Sequence, residues 1–175
     1  MQAGGHRFES DMLHHETKLS SPNGELFCYA NAMLLTVHTL TGALIALSVK
    51  DPLLAAPLAF VSHFVLDSTP HFGIDGLDFK TPKGKVVGIA DCVSAFIVWL
   101  ILISLFPSHW FLVSIGVFFA CLPDLLYIPD IFFNFIPSKK LLRFHSRIQW
   151  SQTPIGTITD ASWATMVVYM IAQYK

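Results

Sequence analysis

Long apolar runs with almost no charge dominate this sequence of 175 residues. Val86 to Phe106 contains one charged residue, Asp91, and His109 to Ile128 also contains one, Asp124. A helix that crosses a membrane needs about 20 predominantly apolar residues. The runs are continuous rather than alternating, which favours helices over strands. The sequence therefore predicts an all-α protein embedded in a membrane.

Three further apolar runs extend this prediction. Leu26 to Val49 carries no formal charge, Pro52 to Leu66 is shorter, and Thr153 to Ala172 contains Asp160. Charged residues make up 13% of the chain, against about 25% in soluble domains. We predict a polytopic membrane helical bundle of four to five short transmembrane helices. Residues 1–25 are polar and predicted to be disordered, and residues 26–175 form a single integral membrane domain.

The placement of basic residues predicts the orientation of the bundle. The basic residues are concentrated in two polar stretches. The first contains Lys80, Lys83 and Lys85, and the second contains Lys139, Lys140, Arg143 and Arg147. Two predicted membrane segments separate these stretches, so both lie on the same side. Lys and Arg mark the cytoplasmic side of membrane proteins, which predicts a cytoplasmic N-terminus.

Most ionisable residues within or beside the apolar runs fall near the cytoplasmic ends of their segments. This set comprises His63, Asp67, His71, Asp91, Asp124, His145 and Asp160. His38 is predicted to lie deeper, near the middle of the first segment, and His109 lies at the opposite end. Each isolated charge in hydrocarbon costs several kcal/mol. A bound divalent ion would neutralise two carboxylates, so we predict a metal site here.

The spacing in the second segment supports a metal site. His63, Asp67 and His71 are four residues apart, which places them on one helix face. Pro70 leaves an alternative, in which the helix ends and His71 points inward from a loop. Histidine and carboxylate are ordinary zinc ligands. We predict one or two divalent ions, with zinc favoured, bound by His63, Asp67, His71 and Asp124.

Three further residues are predicted to act in catalysis. Asp91 lies inside a helix and is a candidate proton acceptor or additional ligand. His38, within the first segment, and His145, just beyond an apolar run, are candidates because they accompany the other histidines and aspartates of the predicted site. Arg143 or Arg147 is a candidate for binding an anionic substrate group.

Three short motifs resemble one known family. They are H-T-L-T-G at residues 38–42, L-P-D at residues 122–124 and F-H-S at residues 144–146. Over roughly residues 34–171 the chain resembles the small bacterial inner-membrane metal-dependent hydrolases described as LexA-binding, membrane-associated hydrolases. The resemblance implies functional roles for His38, Asp124 and His145, and a location in the bacterial inner membrane.

The predicted function is metal-dependent hydrolysis of an amphiphilic ester or phosphoester at the lipid headgroup level. The predicted partners are membrane lipid and this lipid-like or phosphate-containing substrate, and a homo-oligomer is compatible with so small a bundle. A net charge of −1 argues against nucleic acid as a partner. Transport of protons or metal ions is an alternative, disfavoured by the apolar outer halves at residues 98–106 and 111–119. A non-catalytic membrane scaffold is the other alternative, and it predicts no tightly bound metal.

Overall fold

The computed structural model describes residues 34–72, 79–133, 135, 138–149 and 155–175. The secondary structure of this part is helical, as the sequence predicts. A 3-10 turn spans Pro107–His109, and the α-helices are α1 Leu35–Val49, α2 Pro52–Asp67, α3 Pro82–Leu105, α4 Trp110–Leu125, α5 Ile128–Phe133, α6 Lys139–Ile148 and α7 Gly156–Ala172. The predicted disorder of residues 1–25 and the beginning of the first apolar run lie outside the described residues.

A two-residue turn joins α1 to α2. Lys50 ends α1 in the left-handed conformation, with φ at 59°. The Asp51 carboxylate then accepts the backbone N–H of Leu53 at 2.8 Å. Pro52 occupies the first helical position, where the absence of an N–H costs no hydrogen bond within the helix. This tight connection makes α1 and α2 antiparallel neighbours.

Helix α3 begins earlier than the sequence analysis predicts. A polar loop was predicted to continue to Lys85, but α3 starts at Pro82. The Thr81 hydroxyl accepts the backbone N–H of Gly84 at 3.1 Å. A Thr cap followed by Pro is a strong helix start, and this local signal outweighs the polar composition of the stretch. Lys83 and Lys85 therefore lie in the first turns of α3.

Two helical segments, Pro82–Leu105 and Pro107–Leu125, are long and apolar enough to cross a membrane. Helix α3 has 24 residues, which corresponds to about 36 Å, more than the ~30 Å hydrocarbon core of a bilayer. Only 11% of its apolar window is buried. Its exposed side chains include Val86, Ile89, Val93, Phe96, Ile97 and Ile101. This exposure distinguishes α3 from the core helix of a soluble protein, which is mostly buried.

Helices α1 and α4 cross closely at two glycines. A Cβ atom added to Gly42 would lie 2.4 Å from the Gly116 carbonyl oxygen, and one added to Gly116 would lie 2.2 Å from the Gly42 carbonyl oxygen. Ala46 and Ala120 follow one turn later and also contact the opposite glycine. Such small residues, four apart, allow helix backbones in membranes to approach closely.

The order of the helices brings their functional ends together. His38 and Asp160 lie near the beginnings of α1 and α7, whereas Asp67 and Asp124 lie at the ends of α2 and α4. The indole N–H of Trp163 donates to the Thr41 hydroxyl at 3.0 Å and joins α7 to α1. The prediction that His38 lies deeper than Asp67 is wrong, because Nε2 of His38 is 3.3 Å from Oδ1 of Asp67.

Candidate metal centre

Four helices contribute histidine and aspartate side chains to one buried cluster. His38 belongs to α1, His63 and Asp67 to α2, Asp124 to α4 and His145 to α6. The Asp124 side chain is 11% exposed and the others are nearly or completely buried. Two groups of three residues in the cluster could each hold a metal ion, because the ligand atoms within each group lie within 4.8 Å of one another. These groups are His38, His63 and Asp67 in one, and His63, Asp124 and His145 in the other.

The second group has the dimensions of a metal site. Nε2 of His63 and Nε2 of His145 are 3.1 Å apart. Oδ1 of Asp124 lies 3.6 Å from the first nitrogen and 3.7 Å from the second. Zinc bonds of about 2.0–2.2 Å in tetrahedral geometry place ligand atoms about 3.3–3.6 Å apart. The three atoms could therefore surround one ion after small shifts.

Asp67 lies at the centre of the cluster. Its Oδ2 atom is 3.3 Å from Nε2 of His63 and 2.5 Å from Nε2 of His145. Its Oδ1 atom faces the other way and is 3.3 Å from Nε2 of His38. The His38 ring stacks on the His63 ring, with centroids 4.1 Å apart. One carboxylate therefore contacts three histidines on two sides.

A backbone carbonyl sets the orientation of His63. Nδ1 of His63 donates to the carbonyl oxygen of Ala120 at 2.7 Å. Because a carbonyl oxygen only accepts, the proton of a neutral ring must reside on Nδ1, which leaves the Nε2 lone pair for a metal. Ala120 follows Phe119, whose carbonyl loses its helical donor because Pro123 has no N–H.

Gln149 is a member of the cluster that the sequence analysis missed. Its amide nitrogen lies 3.1 Å from Oδ2 of Asp67 and 3.2 Å from Nε2 of His145. The spacing of four residues between His145 and Gln149 was the available signal, since such residues share a helix face. Helix α6 buries His145 and exposes Phe144 and Arg147. The side chain of Arg143 lies outside the described part of the chain.

His71 and His109 differ in where the structure places them. Helix α2 ends at Asp67, so His71 follows in a loop, as the alternative with Pro70 as a helix end predicts. Nδ1 of His71 lies 2.8 Å from the Thr69 carbonyl oxygen. His109 lies in the 3-10 turn before α4, and Asp124 lies at the far end of that helix. A helix of 16 residues is about 24 Å long, so His109 is remote from the cluster.

Asp91 caps a helix beside the cluster. Its Oδ2 atom accepts the backbone N–H of Leu35, the first residue of α1, at 2.9 Å. Asp91 is absent from both metal-ligand groups found among the described residues. Its predicted role as a proton acceptor stays a prediction.

Two substitutions separate a role of Asp91 as a helix cap from a role as a metal ligand. Asp91→Ala removes the cap and is expected to lower the free energy of unfolding by about 1 kcal/mol, while the bound metal is retained. Asp91→Asn keeps an oxygen that can accept from Leu35 and is expected to preserve stability. Thermal unfolding and metal analysis of both proteins in detergent would test this. Loss of metal from the stable Asn variant would contradict the assignment as a cap.

An apolar cavity of about 400 Å³ leads to the cluster. Asp124, His145 and Gln149 line one part of it. Most other lining residues are apolar and come from α3, α4 and α5, including Val87, Val93, Phe96, Leu125, Ile131 and Phe132. The Lys85 ammonium also lines the cavity and lies 5.5 Å from the centre of the Phe132 ring. The cavity therefore joins apolar walls to a polar end and one basic side chain.

Within the part of the chain that the structure describes, the protein is all-helical, with two helices long and apolar enough to cross a membrane and a buried His/Asp group that could hold a metal ion. Comparison with protein-family models, with curated proteins and with solved structures finds no match. The family resemblance therefore stays a prediction, and the function has to be argued from the site itself.

Proposed function

We propose that the protein is a membrane-bound, zinc-dependent hydrolase that acts on an amphiphilic ester or phosphoester. The observation that carries this proposal is the convergence of His63, Asp124 and His145 at the end of an apolar cavity. Buried imidazole and carboxylate groups suit zinc. Oδ2 of Asp124 is buried and has no hydrogen-bond partner among the described residues, which fits a carboxylate that ligates a metal.

The residues around the ion would hold it and orient the substrate. Zinc supplies a Lewis acid and lowers the pKa of a bound water towards neutrality. His63 is held for this purpose by the Ala120 carbonyl and by stacking on His38. The amide of Gln149 faces the same cavity and is a donor for a substrate oxygen.

The shape of the cavity supports an amphiphilic substrate. Its polar end holds the candidate ligands, and its walls match an alkyl or acyl chain. Burial of apolar surface contributes about 25 cal/mol per Å², so a longer chain should bind more tightly. Lys85 lies on the same cavity and could pair with an anionic headgroup.

The proposed location is the bacterial inner membrane, with the site and the N-terminus on the cytoplasmic side. In this arrangement α1, α2 and α7 complete a five-helix bundle with α3 and α4. These three helices have 15, 16 and 17 residues, or about 22–26 Å. Short spans of this kind are accommodated by local thinning of the bilayer. The basic residues of α3 and α6 support this orientation.

Hydrolysis by the purified protein in detergent tests the proposal. We expect turnover of long-chain 4-nitrophenyl esters or long-chain alkyl phosphates, loss of turnover with a chelator, and recovery with zinc. Val93→Trp fills part of the cavity, and we expect it to lower kcat/KM for long-chain substrates about tenfold, or about 1.4 kcal/mol. Ile101→Trp on the exposed face of the same helix is the matched control.

Two results would contradict the proposal. One is the absence of any metal-dependent hydrolysis across both substrate classes. The other is ion flux in proteoliposomes that is lost in Asp67→Asn, without hydrolysis, which would support the transport alternative. An equal effect of Val93→Trp on short and long chains would argue against the cavity as the chain-binding site.

A further inference from the structure

Beyond the ion proposed for His63, Asp124 and His145, several buried atoms of ligand type make no hydrogen bond among the described residues. Within the described residues, Nε2 of His38, Oδ1 of Asp67, Nε2 of His71 and Oδ1 of Asp160 are buried without a hydrogen bond. Leaving a buried polar group unsatisfied costs about 1–3 kcal/mol, and more when the group is charged. The first ion does not explain why these atoms are buried in one region without hydrogen bonds.

The two ligand groups cannot both use the same nitrogen. Each contains His63, but Nδ1 of His63 is bound to Ala120. Nε2 has one lone pair and can ligate one ion. If His63 binds the first ion with Asp124 and His145, then His38 and Oδ1 of Asp67, 3.3 Å apart, form an incomplete second set.

His71 is oriented as His63 is. Its Nδ1 donates to the Thr69 carbonyl, which leaves the lone pair on Nε2 available. The side chain is completely buried, and this nitrogen has no partner among the described residues. A buried imidazole with one nitrogen fixed by a carbonyl and the other free is the usual arrangement of a metal-ligating histidine.

Asp160 is held beside His71 by the backbone. Its Oδ2 atom accepts the N–H of Phe72 at 3.0 Å, while Oδ1 is buried and free of partners within the described part. At the start of the same helix, a Cβ atom on Gly156 would lie 2.0 Å from the carbonyl carbon and oxygen of His71. The loop after α2 therefore packs directly on the start of α7. Electrostatic interactions also link Asp160 with His71, His38 and Asp67.

We propose that Asp67 bridges two metal ions and that the second ion is held by His38, His71 and Asp160. Oδ2 of Asp67 faces the first ion and Oδ1 faces the second. Among the described residues, the ion pairs of Asp67 and Asp124 involve histidines only. Two divalent ions would therefore offset the three negative charges of Asp67, Asp124 and Asp160 and leave one positive charge over. His71 and Asp160 are absent from the groups, found within the described part of the chain, whose ligand atoms lie within 4.8 Å of one another, so both side chains would have to move towards His38 and Asp67 to complete this second site.

This inference rests on the proposed metal-dependent function and gives it the arrangement of a two-ion hydrolase. Ions in such sites lie about 3.5–4 Å apart and bind both the attacking and the leaving oxygen of a displacement. Phosphoesters are the substrates for which this arrangement is best suited. The second ion thus favours the phosphoester within the substrate class proposed above.

Metal analysis of the full-length protein in detergent, loaded with zinc and freed of excess, tests the proposal. We expect two equivalents of zinc in the wild type and one equivalent in His71→Ala and Asp160→Asn. Thr159→Ala, an exposed neighbour on α7, should retain two. X-ray absorption of the wild type should contain metal–metal scattering that both variants lose.

The outcomes separate this inference from the proposed function. One equivalent in the wild type, unchanged in Asp160→Asn, would overturn the second ion, whereas chelator-sensitive hydrolysis would still stand. Absence of any bound zinc would overturn both. The metal–metal signal of the wild type decides the question even if a variant fails to fold, because its absence at two equivalents would exclude a bridged pair.

Discussion

Replacement of Asp67 by alanine is expected to abolish tight zinc binding. Asp67 contacts His38, His63 and His145, so its loss removes a ligand and also releases three histidines. Removing a group that merely supports a ligand costs about 10–100-fold in metal affinity, and we expect Asp67→Ala to exceed this. Elemental analysis of the purified protein in detergent, with a competing chelator, would measure the loss.

The control for this experiment removes a different carboxylate, and a second variant replaces Asp67 by its isosteric amide. Asp130→Ala removes a carboxylate whose Lys80 partner is half exposed, with the two side chains 3.1 Å apart, and should leave bound zinc unchanged. Asp67→Asn retains the shape of the side chain but removes its charge, and should also lose zinc. A scaffold would tolerate Asp67→Asn. Unchanged zinc in both Asp67→Ala and His63→Ala would remove the metal-site proposal.

The general form of the fold could be predicted from the sequence because the length and hydropathy of an apolar run indicate a membrane helix. The Val86 run and the His109 run correspond to α3 and α4. Element ends were less predictable. Asp91 caps the start of α1, because it accepts the N–H of Leu35 from a helix far along the chain. Hydropathy carries no information on such a contact, and so His38 was placed too deep.

As with the fold, one part of the site could be predicted from the sequence and another part could not. His63 and Asp67 share a helix face, and their spacing alone identified them. The carbonyl of Ala120 and the amide of Gln149 were missed, because only the packed structure brings them to His63 and His145. Asp160 was grouped with the ionisable residues near the cytoplasmic ends of the segments but was not predicted as a ligand. Its free oxygen beside His71 depends on the contact between Gly156 and the loop after α2.

The crossing of α1 and α4 is the second feature with a large expected effect. The backbones touch at Gly42 and Gly116. His38 precedes Gly42 by one helical turn, and Asp124 follows Gly116 by two. The close approach of these glycines therefore sets how near the ends of α1 and α4 come to each other. Ligand atoms must be held within about 0.5 Å of productive geometry, so a shift at the crossing should reach the metal site.

Gly116→Leu is accordingly expected to weaken zinc binding without changing any ligand. Its Cβ would lie 2.2 Å from the Gly42 carbonyl oxygen and 2.8 Å from the Ala46 Cβ, so the helices must separate. Overpacking of this kind costs about 1–3 kcal/mol, and we expect a lower unfolding temperature together with a loss of zinc affinity of about tenfold or more. Gly116→Ala should give a smaller change in the same direction, because even its methyl carbon meets backbone. Ser104→Leu, exposed on α3, adds similar bulk where no helix approaches and should leave both quantities unchanged. If Gly116→Leu retained wild-type zinc affinity and stability, the position of the metal ligands would not depend on this crossing.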